Sequence, residues 1–123
     1  MNRPTLLCVE DDSTLPDAFG ALLGSSGYRV LLAKDGGQAK IAFRNSRIDA
    51  VFVDDHQKTG ASGSQIAAEI KQQSPATPVI LVSSLQNVLE EGRNYVDATV
   101  PKGAELSQVL AQVKALVNSD TAA

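Results

Sequence analysis

Tryptophan is absent from this sequence, cysteine and histidine occur once each, and aromatic residues make up 4% of 123 positions. One cysteine excludes an internal disulfide, and Cys8 sits inside an apolar run, where it is expected as a small buried hydrophobe. With so few aromatics, a core must be built from Val, Leu, Ile and Ala, and a hydrophobic content of 43% is ample for one. No Lys/Arg run occurs and the net charge is −3, so direct nucleic-acid binding lacks its electrostatic footprint. No apolar stretch approaches the roughly 20 residues that a membrane span requires. The start, Met1-Asn2-Arg3-Pro4, leads into a strand-like run rather than a signal peptide. Internal repeats and domain linkers are also missing. A single cytoplasmic domain is therefore expected, with a core over about 5–117 and a frayed tail at 118–123.

What is present is a series of short apolar runs, each ending in polar residues. Asp49-Ala50-Val51-Phe52-Val53-Asp54-Asp55-His56 is the most telling. Four apolar residues run straight into two carboxylates, as in a strand buried on both faces within a parallel sheet. Thr5-Leu6-Leu7-Cys8-Val9 repeats the pattern and ends in Glu10, Asp11 and Asp12. Further strands are read at Tyr28-Arg29-Val30-Leu31-Leu32-Ala33, Val79-Ile80-Leu81-Val82 and, more weakly, Asp97-Ala98-Thr99-Val100.

Helical spacing fills the gaps. Leu15, Ala18, Phe19, Leu22 and Leu23 mark a first helix, closed by Gly24 and Gly27. A second is expected over 37–45, capped by Asp35, with Ala39, Ile41, Ala42 and Phe43 as its apolar positions. A third, over 64–73, turns Ile66, Ala67 and Ile70 inward and ends before Pro75 and Pro78. A short one spans 86–91, and the last, over 104–117, aligns Leu106, Val109, Leu110, Val113, Leu116 and Val117. Alternating strands and helices imply an α/β fold with a doubly wound parallel sheet and right-handed crossovers. Five strands in so short a chain suit the flavodoxin-like (βα)5 order 2-1-3-4-5.

In that order Glu10, Asp11, Asp54, Ser83 and Lys102 converge at the C-terminal end of the sheet. Three crowded carboxylates repel by several kcal/mol at an intermediate dielectric, so they must hold protons or recruit a cation. Oxygen-only donors point to Mg2+. Three carboxylates, one Mg2+ and Lys102 balance to neutrality. A carboxylate oxygen can attack phosphorus to form an aspartyl phosphate, and cations, the Ser83 hydroxyl and backbone N–H groups can receive the phosphoryl oxygens.

Over about 5–117 the sequence resembles the receiver domain of two-component response regulators. The resemblance rests on Leu7-Cys8-Val9-Glu10-Asp11-Asp12, Asp49-Ala50-Val51-Phe52-Val53-Asp54, Val79-Ile80-Leu81-Val82-Ser83-Ser84 and Lys102. It implies that Asp54 is the phospho-acceptor, that Asp11 binds Mg2+ directly and Glu10 through water, and that the His56 carbonyl is another ligand. Ser83 then contacts the phosphoryl group, and Lys102 is the phosphate-binding lysine. The His56 side chain reads first as a solvated polar group.

Several positions depart from the family pattern. The proline four residues after the acceptor is replaced by Lys58, and the aromatic three before the lysine by Thr99. Pro101-Lys102-Gly103 stands where Lys-Pro is usual, so no cis peptide is implied after the lysine. The segment from Ser83 to Lys102 is short, suggesting a reduced helix within it. The distance from Asp54 to Gly63 is one residue longer than in the family, and Asp55 to Gly63 would fit, which makes Asp55 a rival acceptor. Asp54 is preferred, because its distance from Asp49 matches and a loop insertion is cheap.

The implied function is phosphorylation by a sensor histidine kinase or phosphotransfer protein, with a shifted interaction surface acting on a downstream protein in trans, unless the chain is an excised domain. It is not an enzyme beyond Mg2+-dependent self-phosphorylation and self-dephosphorylation. The alternative is a degenerate receiver acting as a phosphorylation-independent interaction module. A flavin or nucleotide carrier on the same fold ranks third, since no Gly-rich phosphate loop follows the first strand.

Overall fold

Short apolar runs call for burial on both faces, and in the computed structural model of the chain those at Thr5–Val9, Ala50–Asp54 and Val79–Ser83 have it side by side, while Arg29–Ala33 is partly exposed at the sheet edge. The structure describes residues 3–10, 23–55 and 62–121. In order these form β1 (Thr5–Val9), β2 (Arg29–Ala33), α1 (Gly36–Asn45), β3 (Ala50–Asp54), α2 (Gly63–Gln73), β4 (Val79–Ser83), α3 (Gln86–Gly92), β5 (Ala98–Pro101) and α4 (Leu106–Thr121). All neighbouring strands pair in parallel, in the order β2-β1-β3-β4-β5. This is the expected flavodoxin-like sheet. The helix expected around 15–23 falls mostly outside the described residues, and its last position, Leu23, is fully buried.

Because side chains alternate along a strand, each strand feeds two cores. Leu7, Val9, Val51, Val53, Val79 and Leu81 pack on one face with Ala39 of α1 and Ile66, Ala67 and Ile70 of α2. Leu6, Cys8, Phe52, Ile80, Val82 and Val100 pack on the other with Leu23 and with Val109, Val113 and Val117 of α4. Cys8 is thus a buried member of an aliphatic core, as expected. Leu81 is fully buried in a central strand, so Leu81→Ala should cost about 3 kcal/mol in denaturant-monitored unfolding.

Carboxylates fix the N-terminal end of the sheet. Asp49, just before β3, accepts from the Thr5 backbone N–H of β1 at 2.7 Å. Asp97, just before β5, accepts from the Val79 N–H of β4 at 2.7 Å and pairs with Lys71 at 2.9 Å. Each acid ties the first residue of one strand to the approach of its neighbour.

The helices differ from expectation in detail. Asp35 caps α1 by accepting from Gln38 N–H at 2.8 Å, but Ile41 is 55% exposed. With Ala39 as the inward position, Ala42 and Phe43 lie three and four residues on and share its face, whereas Ile41 is rotated away from it. Helix α4 runs on to Thr121, because nothing between 104 and 121 is Gly or Pro. Helix α2 starts on a capping box: Ser62 Oγ accepts from Gln65 N–H and Gln65 Oε1 accepts from Ser62 N–H.

Candidate functional site

Parallel strands bring their C-terminal ends to one edge, and Glu10, Asp54, Ser83 and Lys102 stand along it. Val9 is registered with Val53, so Glu10 and Asp54 follow at the same level on adjacent strands. The Glu10 N–H donates to Ala33 O at 2.8 Å, continuing the sheet by one residue. Asp54 is registered with Val82, and the Lys102 N–H donates to Ser83 O at 3.1 Å. Lys102 Nζ then lies 3.1 Å from Asp54 Oδ1, reaching over β4. At 40% exposure for the lysine side chain, such a pair contributes under about 1 kcal/mol to stability. Its weight lies in setting a cation against this carboxylate.

The four of these groups that lie among the described residues, Glu10, Asp54, Ser83 and Lys102, divide between the two faces of the sheet. Asp54 follows Val53 and Lys102 follows Pro101, so strand alternation gives Asp54, Lys102 and Glu10 the parity of the α4 face. Asp55 and Ser83 have the parity of the α2 face. The contacts follow that division. Ser83 Oγ donates to Asp55 Oδ2 at 3.5 Å, and Ser64 Oγ of α2 donates to Asp55 Oδ1 at 2.8 Å. Ser83 is only 2% exposed, and its Oγ also accepts from the Leu85 N–H at 3.0 Å. Ser83 thus stands at the expected end of the sheet, with its hydroxyl directed to Asp55.

Ser64 has no counterpart in the sequence reading. The signal was present, since Ser62-x-x-Gln65 marks the start of α2 and puts Ser64 in its first turn. Gly63 is what allows that turn to approach: a Cβ there would overlap the Asp54 carbonyl oxygen and sit 2.7 Å from its carbon. Thr99, in the place of the family aromatic, lies in β5 opposite Leu81. A Cβ on Gly92 of α3 would be 3.1 Å from the Thr99 methyl, so this short helix rests closely on β5.

The donors present suit a hard cation. Glu10 and Asp54 offer carboxylates from adjacent strands, which matches the oxygen preference of Mg2+. Among the described residues no three His, Cys, Asp or Glu gather as a metal set. The other expected ligands, Asp11 and the His56 carbonyl, lie outside the described residues, as does Lys58. No helix among the described residues is long and apolar enough to cross a membrane.

Comparison with known proteins agrees with this fold. The family model described as "Response regulator receiver domain" matches residues 6–114. Response regulator MprA of Mycobacterium sp. (strain KMS) is 27% identical over 115 residues, covering 91% of this chain and 50% of that protein. The chain thus spans about half the length of that relative. A CheY-like receiver domain protein from Methanospirillum hungatei JF-1 superposes with a TM-score of 0.84 at 19% identity, over 98% of both chains. The response regulator TrrA from Thermotoga maritima, solved in complex with Mg(2+)-BeF, gives 0.82 at 24% identity, over 92% of this chain and 98% of that one.

Proposed function

The chain belongs to the response regulator receiver domain family, and from that premise we propose that it is a phospho-accepting receiver of a two-component relay. The observation that carries this reading is the contact between Lys102 Nζ and Asp54 Oδ1 at the C-terminal edge of the sheet. An Asp54 carboxylate oxygen attacks the phosphorus of a phosphohistidine on the donor kinase or phosphotransfer protein. The new oxygen–phosphorus bond forms as the phosphorus–nitrogen bond breaks, and the imidazole nitrogen keeps the electron pair. Lys102, already beside the nucleophile, receives negative charge on the phosphoryl oxygens. Glu10, Asp11, Asp54 and the His56 carbonyl would hold Mg2+, which when bound supplies further positive charge against those oxygens.

The Ser83 hydroxyl contacts the phosphoryl group and carries its arrival to α3, β5 and α4, the surface offered to a downstream protein. Phosphoryl gain and loss are reactions of the chain's own Asp54, so it is a signal carrier and not an enzyme that turns over a substrate.

Acetyl phosphate with Mg2+ should add one phosphoryl group by intact mass, and chelation of the metal should prevent it. Lys102→Ala should slow uptake by roughly tenfold or more, through loss of a preorganised cation, with little change in thermal midpoint. A chain that remains unmodified under all conditions would instead indicate a phosphorylation-independent interaction module.

A further inference from the structure

A serine hydroxyl has one proton to donate, and in this structure that proton is directed at Asp55. Ser83 Oγ accepts from the Leu85 N–H at 3.0 Å and donates to Asp55 Oδ2 at 3.5 Å. Asp55 is in turn held from several sides. Its Oδ1 accepts from Ser64 Oγ at 2.8 Å, its N–H donates to Val82 O at 2.8 Å and its carbonyl accepts from Gly63 N–H at 3.2 Å. The residue is thereby fixed to β4 and to the first turn of α2, with its carboxylate turned toward Ser83.

We propose that Asp55 is a positioning residue that holds the Ser83 hydroxyl away from Asp54 until a phosphoryl group competes for its proton. The inference rests on the phospho-acceptor reading above and adds to it a built-in competitor. Binding at Asp54 and retention by Asp55 are mutually exclusive for that proton. The 3.5 Å separation is at the long limit for a hydrogen bond, so the hold is weak enough for a phosphoryl oxygen to displace it. Transfer of the hydroxyl also changes the acceptor of the Leu85 N–H, which stands at the start of α3. The position after the acceptor thus sets a threshold for the switch.

Beryllofluoride with Mg2+ is the probe, and its affinity is measured by titration for wild type, Asp55→Ala, Ser83→Ala and the double variant. Asp55→Ala should tighten binding about fivefold, the scale of one weakened hydrogen bond to a charged group. In the Ser83→Ala background that gain should largely vanish. Asp55→Asn, which keeps the shape but weakens the acceptor, should show the same pattern with smaller amplitude, and the amide resonance of Leu85 should move in both Asp55 variants. Equal gains with and without Ser83 would mean that Asp55 acts through its charge alone and would overturn the proposal. So would weaker binding in Asp55→Ala, which would make Asp55 part of the anion or metal site. Failure of the wild type to bind beryllofluoride would instead remove the phospho-acceptor reading itself, and this inference with it.

Discussion

Asp54→Asn should lose the phosphoryl mass increment entirely on treatment with acetyl phosphate and Mg2+, while Asp55→Asn should still gain it. The two side chains are adjacent in sequence and chemically identical, so the difference must come from where the strand aims them. Asp54 meets Lys102 at 3.1 Å, whereas Asp55 accepts from Ser64 and Ser83 on the opposite parity of the strand. An amide at 54 retains the shape but cannot act as the nucleophile. An amide at 55 leaves the Asp54 contact in place. Intact-mass measurement on both variants decides between them. Uptake by Asp54→Asn together with none by Asp55→Asn would reverse the assignment.

The second large effect is structural. Gly63→Ala should destabilise the fold on the order of 3 kcal/mol or more, lowering the thermal midpoint by roughly 10 °C. The added methyl group would overlap the backbone of Asp54 and Asp55. Backbone cannot rotate aside as a side chain can, so the start of α2 must move away from the end of β3. That displacement would also break the contact from Ser64 to Asp55. Gly103→Ala is the matched control, because nothing lies within 4 Å of its added Cβ; its midpoint should stay within a degree or two. Thermal unfolding followed by circular dichroism reads both.

The fold was legible in the sequence for a definite reason. Runs such as Val51-Phe52-Val53 and Ile80-Leu81-Val82 have no polar face, and only a strand covered on both sides accommodates them. The pairing of Lys102 with Asp54 followed from the same parallel arrangement. The division between Asp54 and Ser83 was harder to read. Strand-end position places a residue along an edge, but its face depends on register, which the residue types alone do not specify. Ser64 escaped notice because helical serines are common and only its neighbour across the turn gives it a role. Ile41 misled because apolar character was counted where angular position decides.

Register gives the acids at the far end of the sheet a meaning beyond stability. The bond from Thr5 N–H to Asp49 fixes how β1 lies against the approach to β3. A slip of β3 by one residue would turn every side chain to the opposite face, bringing Asp55 toward Lys102 and carrying Asp54 toward Ser83. Asp49 thus acts from the opposite pole of the sheet on the register that sets Asp54, and not Asp55, beside Lys102.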